Sequence, residues 1–139
     1  MQIKRCVFAV VVSTSLAVSC HQRETLPTTT RAIAVESSAL FRDGVTLRVD
    51  AIRDSRCPIN AECIWAGNAQ VTFTASKGPY RTQDTLCLGC GPTGLLIPEK
   101  TLVTLGTERY QVTLIDVRPY PNVAAPEVKP QAVFRVERQ

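Results

Sequence analysis

Apolar side chains recur at every second position along several stretches of this chain, and that alternation restricts those stretches to half-buried strands. Val45, Leu47 and Val49 share one face, while Thr46, Arg48 and Asp50 share the other, with Phe41-Arg42-Asp43-Gly44 supplying a turn just before. Val71, Phe73 and Ala75 alternate with Gln70, Thr72 and Thr74, and the run closes on Ser76-Lys77-Gly78-Pro79. The Gly and Pro there fit a hairpin turn, so Tyr80 to Leu88 is expected to return antiparallel. Thr101 to Leu105, Arg109 to Val117 and Ala132 to Glu137 are strand-like as well. Tyr110, Val112 and Leu114 face one way and Ile115 and Val117 the other, which predicts a central strand that changes sides or is buried on both faces near its end. The best helical candidate, Arg31 to Phe41, lacks a clear cap and holds few strong helix formers, so a strand or irregular edge is expected. About seven short strands separated by turn signals predict an all-β domain, a small antiparallel β-sandwich or partly open barrel. Four prolines between Pro119 and Pro130 predict an ordered extended connection across one end, and Gly91-Pro92-Thr93-Gly94 a break in the chain.

The surroundings in which this domain folds follow from the first twenty residues. Lys4 and Arg5 precede an apolar run from Val7 to Val12, and mainly small residues follow from Ser13 to Ser19, which is the pattern of an export signal. The run is too short to span a bilayer, which takes about 20 apolar residues. Ala17-Val18-Ser19-Cys20 resembles the lipobox of bacterial lipoproteins, although Ala17 stands where leucine is usual. That resemblance implies removal of residues 1–19 and acylation of Cys20, palmitate included, and two or three acyl chains make a durable anchor. His21 follows the cysteine rather than the aspartate often associated with inner-membrane retention, which favours the outer membrane. Residues 20–31 are polar and Thr-rich and read as a flexible tether, leaving 32–139 as one domain.

Of 16 cations, Lys4 and Arg5 lie in the signal, so 14 remain against 12 anions, a balance of +2. Lys and Arg are scattered singly rather than gathered on one element, which argues against a nucleic-acid partner.

Beyond Cys6 and Cys20, four cysteines remain: Cys57, Cys63, Cys87 and Cys90. In an exported chain they are first of all disulfides. Local pairing of Cys57 with Cys63 and of Cys87 with Cys90 is geometrically easy, with crossed pairings open. Two sharper readings compete: a tetrahedral zinc site, although the first pair is wider than a usual zinc knuckle, and a redox CxxC at Cys87-Leu88-Gly89-Cys90, which has no evident helix to stabilise a thiolate.

The only histidine, His21, sits on the tether, which removes the common Ser/His and Cys/His nucleophilic arrangements. Asp50, Asp54 and Glu62 flank the first cysteine loop and form the one candidate carboxylate set for a hydrolase; acids at strand ends more often solvate turns. No phosphate-cradling glycine loop or calcium loop is present, and no cofactor is implied.

The segment Asp54-Ser55-Arg56-Cys57-Pro58 followed by Cys63-Ile64-Trp65-Ala66-Gly67 resembles the DSRCP…C-[IV]-W-A-G signature of a group of uncharacterised bacterial secreted proteins and lipoproteins with small β-domains. The similarity continues from Tyr110 to Pro121, and Cys87-Cys90 lies outside the pattern. The resemblance implies export and a β-domain, and no substrate. Physically, Trp65 is expected to enter a strand and cover the disulfide loop, with Asp54 and Arg56 pairing across its base. The segment is then either a braced corner or a rigid recognition loop offering Asp54, Arg56, Ile59, Asn60, Glu62 and Trp65 to an envelope protein or glycan. A non-enzymatic binding or structural module of the cell envelope is the expected function.

Overall fold

The computed structural model describes residues 29–91, 99–124 and 126–139. The signal, Cys20, most of the tether and the chain break after Gly91 lie outside them. Eight strands form two four-stranded antiparallel sheets, with β1 Thr30–Ala34, β2 Ser38–Leu40, β3 Thr46–Asp54, β4 Ala69–Lys77, β5 Tyr80–Leu88, β6 Lys100–Leu105, β7 Glu108–Arg118 and β8 Gln131–Arg138. One sheet has the order β1-β8-β7-β6 and the other β2-β3-β4-β5, so the sandwich is not closed into a barrel. The segment 31–41 supplies two short strands, one to each sheet, which raises the count from about seven to eight. Thr30 and Arg31 belong to β1, although their composition groups them with the tether.

The alternation that defines the strands also fills the space between the sheets. Leu47, Val49, Val71, Phe73 and Leu86 from one sheet meet Tyr110, Val112, Leu114, Phe134 and Val136 from the other, all buried. Phe73 and Phe134 make the central contact across the sheets, with ring centroids 5.3 Å apart and planes tilted by 56°.

Two β-bulges adjust this pattern. In β7 the register shifts between Leu114 and Asp116, so Ile115 is the extra residue and is partly exposed, while Val117 returns to the core. Strict alternation places Val117 with Ile115 on the opposite face; the inserted residue reverses that phase. In β3 the shift between Val49 and Ala51 makes Asp50 the extra residue and leaves Ile52 packed against the core.

The two ends of the sandwich differ. At one end lie the tight β4–β5 and β6–β7 turns, the start of β1 and the finish of β8, since Thr30 pairs with Arg135 and Tyr110 with Arg138. Lys77, Glu108 and Tyr110 join there: Lys77 Nζ donates to Glu108 and to the Tyr110 hydroxyl (2.7 Å), and Tyr110 donates to Glu108 (2.8 Å). The other end carries the long connections 55–68 and 119–130, together with the finish of β5.

Candidate functional site

The long-loop end gathers most of the residues singled out in the sequence. Its foundation is Arg56, only 8% exposed. Arg56 Nε and Nη2 donate to the two oxygens of Asp54 at 2.9 and 2.6 Å, and its backbone N–H adds a bond to Oδ1 at 3.1 Å. Nη2 also donates to the Val117 carbonyl of the opposite sheet at 2.8 Å, and the guanidinium lies 4.4 Å from the Tyr120 ring centroid. The bond to Asp54 pushes the Arg56 pKa up against the opposing effect of burial. One side chain therefore ties both sheets and both long loops together. The Asp54–Arg56 pair expected at the loop base is present, but Arg56 is not offered to a partner: it is buried, and its Nε and Nη2 are spent on Asp54 and the Val117 carbonyl.

Above this brace the loop stem continues the β3–β4 pairing for two more rungs. Ser55 N–H donates to the Asn68 carbonyl at 2.8 Å and Cys57 N–H to the Ala66 carbonyl at 2.8 Å. Gly67 sits between these rungs with φ +71°, and a Cβ on it would lie 1.9 Å from the Ser55 carbonyl oxygen, so only glycine fits. Cys57 and Cys63 close the tip as a disulfide, Cα atoms 5.9 Å apart, and Cys87–Cys90 forms a second at the end of β5, 5.6 Å apart. Local pairing is thus the arrangement adopted. Cys87 is fully buried. Among the described residues no group of three His, Cys, Asp or Glu side chains is placed to hold a metal ion.

The proline-rich connection packs on the disulfide loop, as an ordered crossing requires. Ile59 N–H donates to the Pro121 carbonyl at 3.0 Å, and the Asn60 side-chain carbonyl accepts from Val123 N–H at 3.0 Å. Asn60 is therefore a link between the loops. The outward side chains are Ile59 (70% exposed), Ile64 (94%) and Trp65 (81%) on one loop, and Val123 and part of Tyr120 on the other. Glu62 is exposed at the tip.

Trp65 corrects the expectation that it enters a strand and covers the loop. β4 begins only at Ala69, and the left-handed backbone at Gly67 breaks any alternation before it. The Arg56 guanidinium packs on the Tyr120 ring, and the indole stays exposed.

The three carboxylates considered for hydrolysis are not brought together. Asp50 and Asp54 line separate depressions, and Glu62 lines neither. Asp50 accepts from Arg48 (2.6 Å), Thr74 (2.6 Å) and Gln83 (3.1 Å) on the outer face of the β2-β3-β4-β5 sheet. Burial is the largest single influence on its pKa and pushes it up, but these hydrogen bonds together outweigh it and hold the carboxyl below its ordinary value. Sequence reasoning did not find this cluster, nor the Lys77-Glu108-Tyr110 one; alternation alone places Asp50 outward beside Arg48, but Thr74 and Gln83 reach it only once β3, β4 and β5 are in register.

Comparison with protein-family models, with curated proteins and with solved structures gives no match to this chain.

Proposed function

We propose that this chain is an exported, lipid-anchored binding module of the bacterial cell envelope, akin to the secreted β-domain group that its DSRCP…CIWAG segment resembles, and that it engages a protein through its long-loop end. The observation that carries this reading is the exposure of Ile64 and Trp65 on a loop whose backbone is fixed from within. Apolar side chains that are free to move fold back onto a core. These are held off it by a disulfide, a buried Arg56 brace and bonds to the neighbouring loop, so little conformational entropy is lost when a partner covers them. A Trp flanked by aliphatic residues is the usual centre of a protein–protein contact.

The chemistry of the tip favours a protein over a bilayer or a glycan. Residues 57–67 carry a single charge, Glu62, and residues 119–124 carry none, so the tip offers no cation for anionic lipid headgroups. Ile59, Ile64 and Val123 are branched aliphatics, suited to an apolar pocket and not to stacking on sugar rings. The tip also lies opposite the end where β1 begins, so it is not the end to which a tether from Cys20 attaches.

The test is a photo-crosslinking residue placed at position 65 of the full chain in its native envelope, with position 78 at the opposite end as control. The expected result is one saturable protein adduct from position 65, none from 78, and loss of the adduct on Ile64→Ser. Adducts only to lipid, to glycan or to a second copy of the chain overturn the protein-partner reading, as does an adduct indifferent to Ile64→Ser. Intact-mass measurement of the purified chain tests the anchor separately, and an unmodified Cys20 removes it.

A further inference from the structure

We propose that the outer face of the β2-β3-β4-β5 sheet is a second binding site, for a carboxylate-bearing saccharide, built around Arg48 and Arg81. The site is an open depression of ≈ 420 Å³ to which all four strands contribute: Ser38 from β2, Thr46, Arg48 and Asp50 from β3, Ser76 from β4 and Arg81 from β5. Thr74 of β4 completes it, and no aliphatic or aromatic residue lines it.

The bulge in β3 makes this face unusual. It inserts Asp50 as a residue the β3–β4 register does not need, while Val49 and Ile52 keep their places toward the core. An interrupted ladder and a carboxylate drawn partly out of water both cost stability. Two other ionic clusters among the described residues have a packing role: Arg56 joins the sheets at one end, and Lys77 of β4 meets Glu108 and Tyr110 of β7 at the other. The Asp50 cluster stays on one face of one sheet and joins nothing across the core. What it does is hold a cation in place. Thr74 and Gln83, on successive strands, fix the carboxylate, and Asp50 Oδ1 grips Arg48 Nη1 at 2.6 Å. Arg48 remains 52% exposed, so its other donors are left for a ligand while its position is set.

The charge and polarity of the depression define what fits. Two guanidiniums less one carboxylate leave a single positive charge, which matches one carboxylate; a dianionic phosphate meets repulsion from Asp50. A guanidinium fork binds a carboxylate by paired hydrogen bonds. The hydroxyls of Ser38 and Thr46 can both donate and accept, as ring hydroxyls of a sugar require, while the Ser76 hydroxyl donates to the Thr46 carbonyl (3.5 Å) and is left as an acceptor. An acidic sugar unit supplies both features on one small rigid body. This site is independent of the long-loop end.

The experiment is calorimetric titration of the full chain with oligogalacturonate, with the same oligomer methyl-esterified, and with a sulfated dextran of similar length. Binding to oligogalacturonate is expected, with the esterified and sulfated polymers weaker. Arg48→Ala and Arg81→Ala, both at exposed positions, each weaken it about tenfold, the cost of a lost charge-assisted contact. Asp50→Asn narrows the preference for oligogalacturonate over the sulfated polymer. Trp65→Ser leaves the titration unchanged, which separates this site from the tip. Equal binding of the esterified oligomer, equal or tighter binding of the sulfated polymer, no binding at all, or indifference to both arginine substitutions in variants that unfold like the parent overturns the proposal.

Discussion

The guanidinium of Arg56 lies against the ring of Tyr120, 4.4 Å from its centroid, although the two residues come from loops of different sheets. Arg56 thereby acts as the fastener for the whole long-loop end, with Asp54 on one side and the Val117 carbonyl on the other.

Replacing Arg56 by Ala leaves Asp54 without its partner and a carbonyl without its donor. The expected loss is about 3 kcal/mol, as for other broken, largely buried ion pairs. Arg56→Lys is expected to recover only part of it, because a single ammonium supplies neither the fork nor the planar stack. Urea unfolding of the three proteins measures this, and equal midpoints for all of them contradict the role given to Arg56.

Gly67→Ala sets a methyl group 1.9 Å from the Ser55 carbonyl oxygen in a left-handed backbone. A loss above about 3 kcal/mol is expected, since neither strand of the loop stem can move without breaking the rungs on both sides of it. Gly78→Ala, at φ +56° with nothing within 4 Å of the added carbon, carries only the backbone cost of about 1 to 2 kcal/mol. Thermal unfolding of the pair separates crowding from conformation.

Acid is expected to weaken the opposite end through Glu108. Hydrogen bonds from Lys77 and then Tyr110 hold the Glu108 carboxyl below its ordinary value. A carboxylate with a depressed folded pKa contributes stability that is fully present above the unfolded value of about 4.3 and is lost as pH falls through the folded one. Glu108→Gln is therefore expected to flatten the fall in urea midpoint below about pH 4.5, while lowering the plateau at neutral pH. An unchanged acid limb in the variant shows that other carboxylates set it.

The strands were legible because a sandwich of this kind buries one face of each, and Val45-Leu47-Val49 or Val71-Phe73-Ala75 can satisfy that in one way only. The Asp54–Arg56 pair was legible for a similar reason, as two opposite charges beside a closed loop. The change of side near the end of β7 was legible too, since Val117 could not otherwise join the core, although the position of the bulge was not. Trp65 was not legible: it depends on the left-handed backbone at Gly67, and such a departure is settled by packing at a distance in sequence. The local disulfides followed from spacing, whereas the Asp50 cluster needs three strands in register before it exists.

Because β1 starts and β8 finishes at the end remote from the braced loops, Gln139 also leaves the domain on that side. Immobilising the chain on a sensor through a short C-terminal peptide then leaves the braced loops facing the analyte. Capture through an amine-reactive surface has no such preference, and the difference in analyte response between the two mountings reads out directly which pole of the sandwich does the work.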